Sequence, residues 1–92
     1  MEYERNPVQF FTAVCYDWFR LLASNEAKEI VIRGLQYQVK AKHVKICAFV
    51  IMPNHIHLIW RVQNEHRLED IQRDFLKYTA KEILKLVRRD KG

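Results

Sequence analysis

The stretch from Val44 to Val62 constrains this chain more than any other. Val44 to Met52 is an apolar run of strand length with Lys45 as its only charge, Pro53-Asn54 breaks it, and His55 to Val62 then alternates. Successive side chains of a strand leave opposite faces, so Ile56, Leu58, Trp60 and Val62 share one face while His55, His57, Ile59 and Arg61 share the other. Two such strands joined by Pro-Asn make an antiparallel hairpin the economical reading. The first strand, apolar on both faces, reads as a central strand covered on both sides.

Other elements must cover that hairpin. Val8 to Phe19 is rich in aromatic and β-branched residues and reads as an earlier strand. Asn25 offers an N-cap, Glu26 and Glu29 suit the positive end of a helix, and Ala27, Ile30, Val31, Gly34 and Leu35 recur at helical spacing, which predicts a helix from about Glu26 to Ala41. From Leu68 onward, Leu68, Ile71, Phe75, Thr79, Ile83 and Leu86 fall on one face of a long second helix ending in a basic tail. Strand, helix, strand, strand, helix is the order of a ferredoxin-like α+β fold, an antiparallel sheet with helices on one face, whose final strand is missing or supplied by a partner. An unfinished sheet leaves an edge that natural proteins seldom expose, so a homodimer is the simplest completion.

At 92 residues the chain reads as one domain, 1–92, and its 49% apolar and 29% charged residues suit a folded protein. Lys and Arg outnumber Asp and Glu by 16 to 11, a balance that suits an approach to a polyanion and also fits a moderately basic soluble domain. Cys15 and Cys47 sit in apolar runs without Cys-x-x-Cys spacing, which argues for buried reduced thiols and against a zinc knuckle or a disulfide framework. The longest nearly uncharged run, Ile46 to Trp60, is too short to span a bilayer, and Met1 to Pro7 has no apolar core of a secretory signal. A cytoplasmic protein without membrane contact is the expectation.

The histidines carry the chemistry. His55 and His57 leave the same pleat, about 7 Å apart along the backbone, and neutral imidazole is the commonest ligand for divalent transition metals. The same spacing also suits two polar residues on a solvated face. Their setting is more specific: Phe49-Val50-Ile51-Met52-Pro53-Asn54 precedes the pair and Leu58-Ile59-Trp60 follows it. This composite resembles the REP-associated tyrosine transposases and their insertion-sequence-200-like relatives, whose signature is an apolar strand, Met-Pro-Asn, then His-hydrophobic-His, the HUH motif. Phe10-Phe11-Thr12-Ala13-Val14 is similar to the family's first strand, and Arg67 to Lys77 to the helix after the histidine strand.

The resemblance implies a single transposase-like HUH domain in a dimeric enzyme. Such enzymes cut and rejoin single-stranded DNA at a hairpin through a 5′-phosphotyrosine, with a divalent ion, Mg or Mn, held by His55 and His57. In the family the tyrosine usually lies on a later helix, followed four residues on by a polar metal ligand. No such later segment occurs before Gly92, so the chain reads as a truncated member. Tyr78 followed four residues later by Glu82 is the internal candidate for nucleophile and third metal ligand, both on or beside the apolar stripe of the second helix. Core packing for Tyr78 and snorkelling for Glu82 stand as the other reading.

Tyr3, Tyr16 and Tyr37 have weaker surroundings, His43 and His66 sit at element boundaries suited to solvent, and Trp18 and Trp60 suit either base stacking or the core. Lys40, Lys42, Lys45, Arg61, Lys81, Lys85, Arg88 and Arg89 are candidate DNA contacts, or simply a solvated charged face. Three functions follow from these readings: a DNA-cleaving transposase, a catalytically inactive DNA-binding remnant of one, or a small scaffold with an incidental histidine pair.

Overall fold

The computed structural model describes residues 7–15, 19–63 and 66–91, the last two by backbone alone. The chain runs β1 (Val8–Val14), α1 (Asn25–Lys40), β2 (Val44–Met52), β3 (His55–Val62) and α2 (Leu68–Lys91). β1 ends at Val14 rather than reaching Phe19 as its composition predicts, and Tyr16 and Trp18 lie outside the described residues. The three strands form one antiparallel sheet in the order β1-β3-β2.

β3 is therefore the central strand and β2 an edge, which corrects the expectation that the most apolar strand lies in the middle. Hydrogen bonding on both sides goes to the strand that alternates cleanly. Ile56, Leu58, Trp60 and Val62 face the helices and are each less than 7% exposed. They join Ala27, Ile30, Val31 and Leu35 of α1 and Ile71, Phe75 and Ile83 of α2 in one apolar cluster. Trp60 lies at its centre, stacked on Phe11 at 5.7 Å and edge-on to Phe75 at 6.0 Å. It is a core residue and offers no face to a base. Burial of side chains of this size contributes about 1.5–3 kcal/mol each.

β2 turns Val44 and Ile46 inward, then slips register. Ile46 pairs with Trp60 while Ala48 pairs with the next residue, Ile59, so Cys47 is the extra residue of a bulge. Cys47 is exposed and Cys15 half-buried, not the buried thiols that their apolar neighbours suggest, because a bulged residue leaves the pleat and β1 ends beside Cys15.

Ser24, one residue before the expected cap, closes the start of α1, its hydroxyl accepting from the Ala27 N–H at 3.1 Å. At the other end Lys42 takes a positive φ of 63°, and the N–H groups of Lys42 and His43 donate to the carbonyls of Val39 and Gln38. This is a Schellman closure with lysine where glycine is usual, and it turns the chain directly into β2. α1 and α2 pack closely at Gly34, where an added Cβ would stand 3.2 Å from Phe75 and 3.3 Å from Tyr78.

Candidate functional site

The helices cover one side of the sheet, and the other side is formed by the outward residues of all three strands. Cross-strand register orders them in rows: Val14, His55 and Met52; Thr12, His57 and Val50; Phe10, Ile59 and Ala48; Val8, Arg61 and Lys45. No Asp or Glu occurs in any of the three strands. The face is apolar in its middle, imidazole-bearing at the hairpin end and cationic at the other.

His55 and His57 project from this face together, their ring centroids 4.7 Å apart and their planes nearly perpendicular at 83°. Each ring is fixed through Nδ1. The Nδ1–H of His55 donates to the Asn54 side-chain oxygen at 2.7 Å, and Nδ1 of His57 meets the Thr12 hydroxyl at 3.1 Å. A histidine held through one nitrogen presents the other, Nε2, in a set direction, the arrangement that metal-ligating histidines use.

The turn before them is held as firmly. The Asn54 carbonyl accepts the Cys15 N–H at 2.9 Å and the Pro53 carbonyl accepts the Leu22 N–H at 2.8 Å. Met-Pro-Asn thus does local work: Pro53 fixes the bend, and Asn54 ties the turn to the end of β1 and orients His55. Sequence reasoning passed over both Asn54 and Thr12 as side-chain partners. The period-two pattern puts Thr12 on one face of β1, but only the register sets it opposite His57.

Glu82 is not brought to the histidines. It lies on α2, half-buried, paired with Lys85 at 3.1 Å in a groove shared with Glu29 and Arg33 of α1. Tyr78 also stays in the helix layer, its ring against Gly34 in a cavity of about 390 Å³ lined by Arg33, Tyr37, Gln38, Asp74 and Phe75. The sheet stands between both residues and His57, because the α2 stripe they flank packs onto the inward face of β3. The residue spacing of Tyr78 and Glu82 holds on the helix, while the layer it belongs to separates them from the metal-ligand candidates. Among the described residues no group of three or more His, Cys, Asp and Glu side chains could hold a metal ion.

Of the candidate DNA contacts, Lys45 and Arg61 share the histidine face, directly opposite one another across β2 and β3. Lys40 and Lys42 close α1. Lys81, Lys85, Arg88 and Arg89 lie on α2, in the helix layer, where Lys85 pairs with Glu82 and Arg89 with Glu26 at 2.6 Å. The rings of His43 and His66 lie 4.4 Å apart with their planes tilted by 60°, His66 exposed and His43 half-buried, and the His43 Nδ1–H donates to the Gln38 side-chain oxygen at 2.7 Å. Burial and the neighbouring His66 lower the His43 pKa from its ordinary 6.5, against a smaller opposing pull from Asp74. Tyr3 lies outside the described residues.

These features define an antiparallel α+β domain with an oriented histidine pair on the sheet face opposite its helices. A family model described as "Transposase IS200 like" matches residues 14–91, and the chain belongs to that family of transposases. No curated protein and no solved structure matches it. No helix among the described residues is long and apolar enough to cross a membrane.

Proposed function

We propose that the histidine face is where this transposase-family chain meets single-stranded or hairpin DNA, with His55 and His57 holding a divalent ion, Mg or Mn, beside a phosphodiester. The observation that supports the reading most is the pair of Nδ1 anchors, Asn54 on His55 and Thr12 on His57, which turn both rings before any ion arrives. Two imidazoles would supply only part of the donor set of such an ion, whose preference for oxygen leaves the remaining positions to water and phosphate oxygens. Bound there, the ion would supply Lewis-acid polarisation of the phosphate. His55 and His57 orient it, and the turn at Pro53-Asn54 keeps their strand in register. Titration calorimetry with manganese tests the site: wild type gives a saturable heat that His57→Ala loses, and equal heats for the two would remove His57 from it.

Cleavage through a 5′-phosphotyrosine needs a tyrosine oxygen at the same phosphate. The described tyrosines, Tyr37 and Tyr78, belong to α1 and α2, on the far side of the sheet. That placement favours a second reading, a DNA-binding member in which neither described tyrosine serves as the nucleophile. Incubation with a labelled hairpin oligonucleotide and either ion, followed by denaturing electrophoresis, separates the two. A covalent adduct supports cleavage, and its absence supports binding alone.

The partner we propose for assembly is a second copy. The outer edge of β1 pairs with no strand among the described residues, and beside it lies an apolar groove of about 480 Å³ between β1 and α2. A strand edge next to an apolar groove is a surface that a second chain can complete.

A further inference from the structure

Phe10 is the feature that the histidine site leaves unexplained. It is 78% exposed, the most exposed of the large apolar side chains among the described residues, and sits in the middle of β1 on the histidine face. Its row holds Ile59 and Ala48, and the next row toward the hairpin holds Thr12 and His57. Two residues of strand put Phe10 about 7 Å from Thr12, the residue that anchors His57. Arg61 and Lys45 lie one row further, about 14 Å along β3 from His57. An aromatic ring therefore stands between an imidazole pair and a cationic pair on one sheet face whose three strands carry no Asp or Glu.

We infer that Phe10 is a stacking platform for a base of single-stranded DNA, adjacent to the phosphate at His55 and His57, with Arg61 and Lys45 against the next phosphates along the strand. The inference rests on the functional reading above and deepens it by naming the residue that holds the nucleotide. Charge selects the occupant: an apolar protein segment would gain nothing from the cations and imidazoles at the two ends, whereas a polyanion with planar bases uses both. Sheet-borne aromatics take bases because each base offers a ring face whatever its sequence, which makes the contact sequence-tolerant. Arg61 is half-buried on this face and stands directly opposite Lys45 across the two strands.

Fluorescence anisotropy with a labelled oligothymidine tests this on wild type, Phe10→Ala, Phe10→Tyr and Arg61→Gln. Phe10→Ala should weaken binding by about tenfold. It should leave the slope of log affinity against log salt unchanged, since no phosphate contact is lost, and Phe10→Tyr should restore affinity. Arg61→Gln should reduce that slope by about one. Because the ring is exposed, the melting midpoint of Phe10→Ala should match wild type, so a loss of affinity is not a loss of fold. If wild type binds but Phe10→Ala binds equally well, the stacking role is wrong while the DNA reading stands. If wild type binds no oligonucleotide even at low salt, the DNA reading itself is wrong. If Phe10→Ala leaves DNA affinity intact but dissociates a dimer by sedimentation, the face belongs to a second copy and the inference is overturned.

Discussion

His43 ends α1 with its backbone and joins two loops with its ring. Its N–H donates to the Gln38 carbonyl, its own carbonyl accepts the Gln63 N–H at 2.8 Å, and its imidazole lies against His66. Burial, and second the charge of His66, make the protonated ring costlier in the folded chain than in the unfolded one. The folded pKa is thus lowered below 6.5, so the unfolded chain binds more protons in the window between the two values. Stability should rise with pH through that window and fall as pH drops below about 6.5. Urea unfolding at pH 5.5 and 7.5, compared with His43→Gln, checks this: the variant should lose part of the difference between the two conditions, and an identical difference would remove His43 as its source. His55 and His57 are held differently, each ring through its Nδ1, by Asn54 and Thr12 respectively.

At the scale of elements, the contact between α1 and α2 turns on Gly34. With no Cβ, it lets the Phe75 and Tyr78 rings settle against the α1 backbone, and an added carbon would come within 3.2 Å of Phe75. Gly34→Leu should force the helices apart and cost about 1–3 kcal/mol, seen as a lower melting midpoint, whereas an unchanged midpoint would show that the helices shift freely. Tyr78 thus has a packing role that its spacing to Glu82 does not suggest. The elements themselves were legible in sequence, because each declares itself by a local period: alternation in β3, helical spacing in α1 and α2. The position of β2 was not. Its apolar residues suit a buried central strand equally well, and strand order depends on pairings between segments far apart in the chain.

For the whole molecule, the apolar groove beside β1 is the surface proposed for a second copy of the chain. Leu84, 48% exposed, lines it together with Val14, Leu21 and Leu22. Sedimentation equilibrium should return twice the 11.2 kDa chain mass for wild type and a single chain for Leu84→Glu, whose exposed position spares the core. A wild type that stays at one chain mass at every concentration would refute the dimer.

The sequence by itself determined the hairpin, the inward and outward sets of β3, the amphipathic helices and the family, since all of these rest on neighbouring residues and fixed periods. Only the tertiary structure decided which residues share a site. A helix can place Tyr78 and Glu82 side by side, but the layer it packs into puts the sheet between them and His57. Register, set by the alignment of β1 on β3, is what brings Thr12 to His57 and leaves Phe10 one row away.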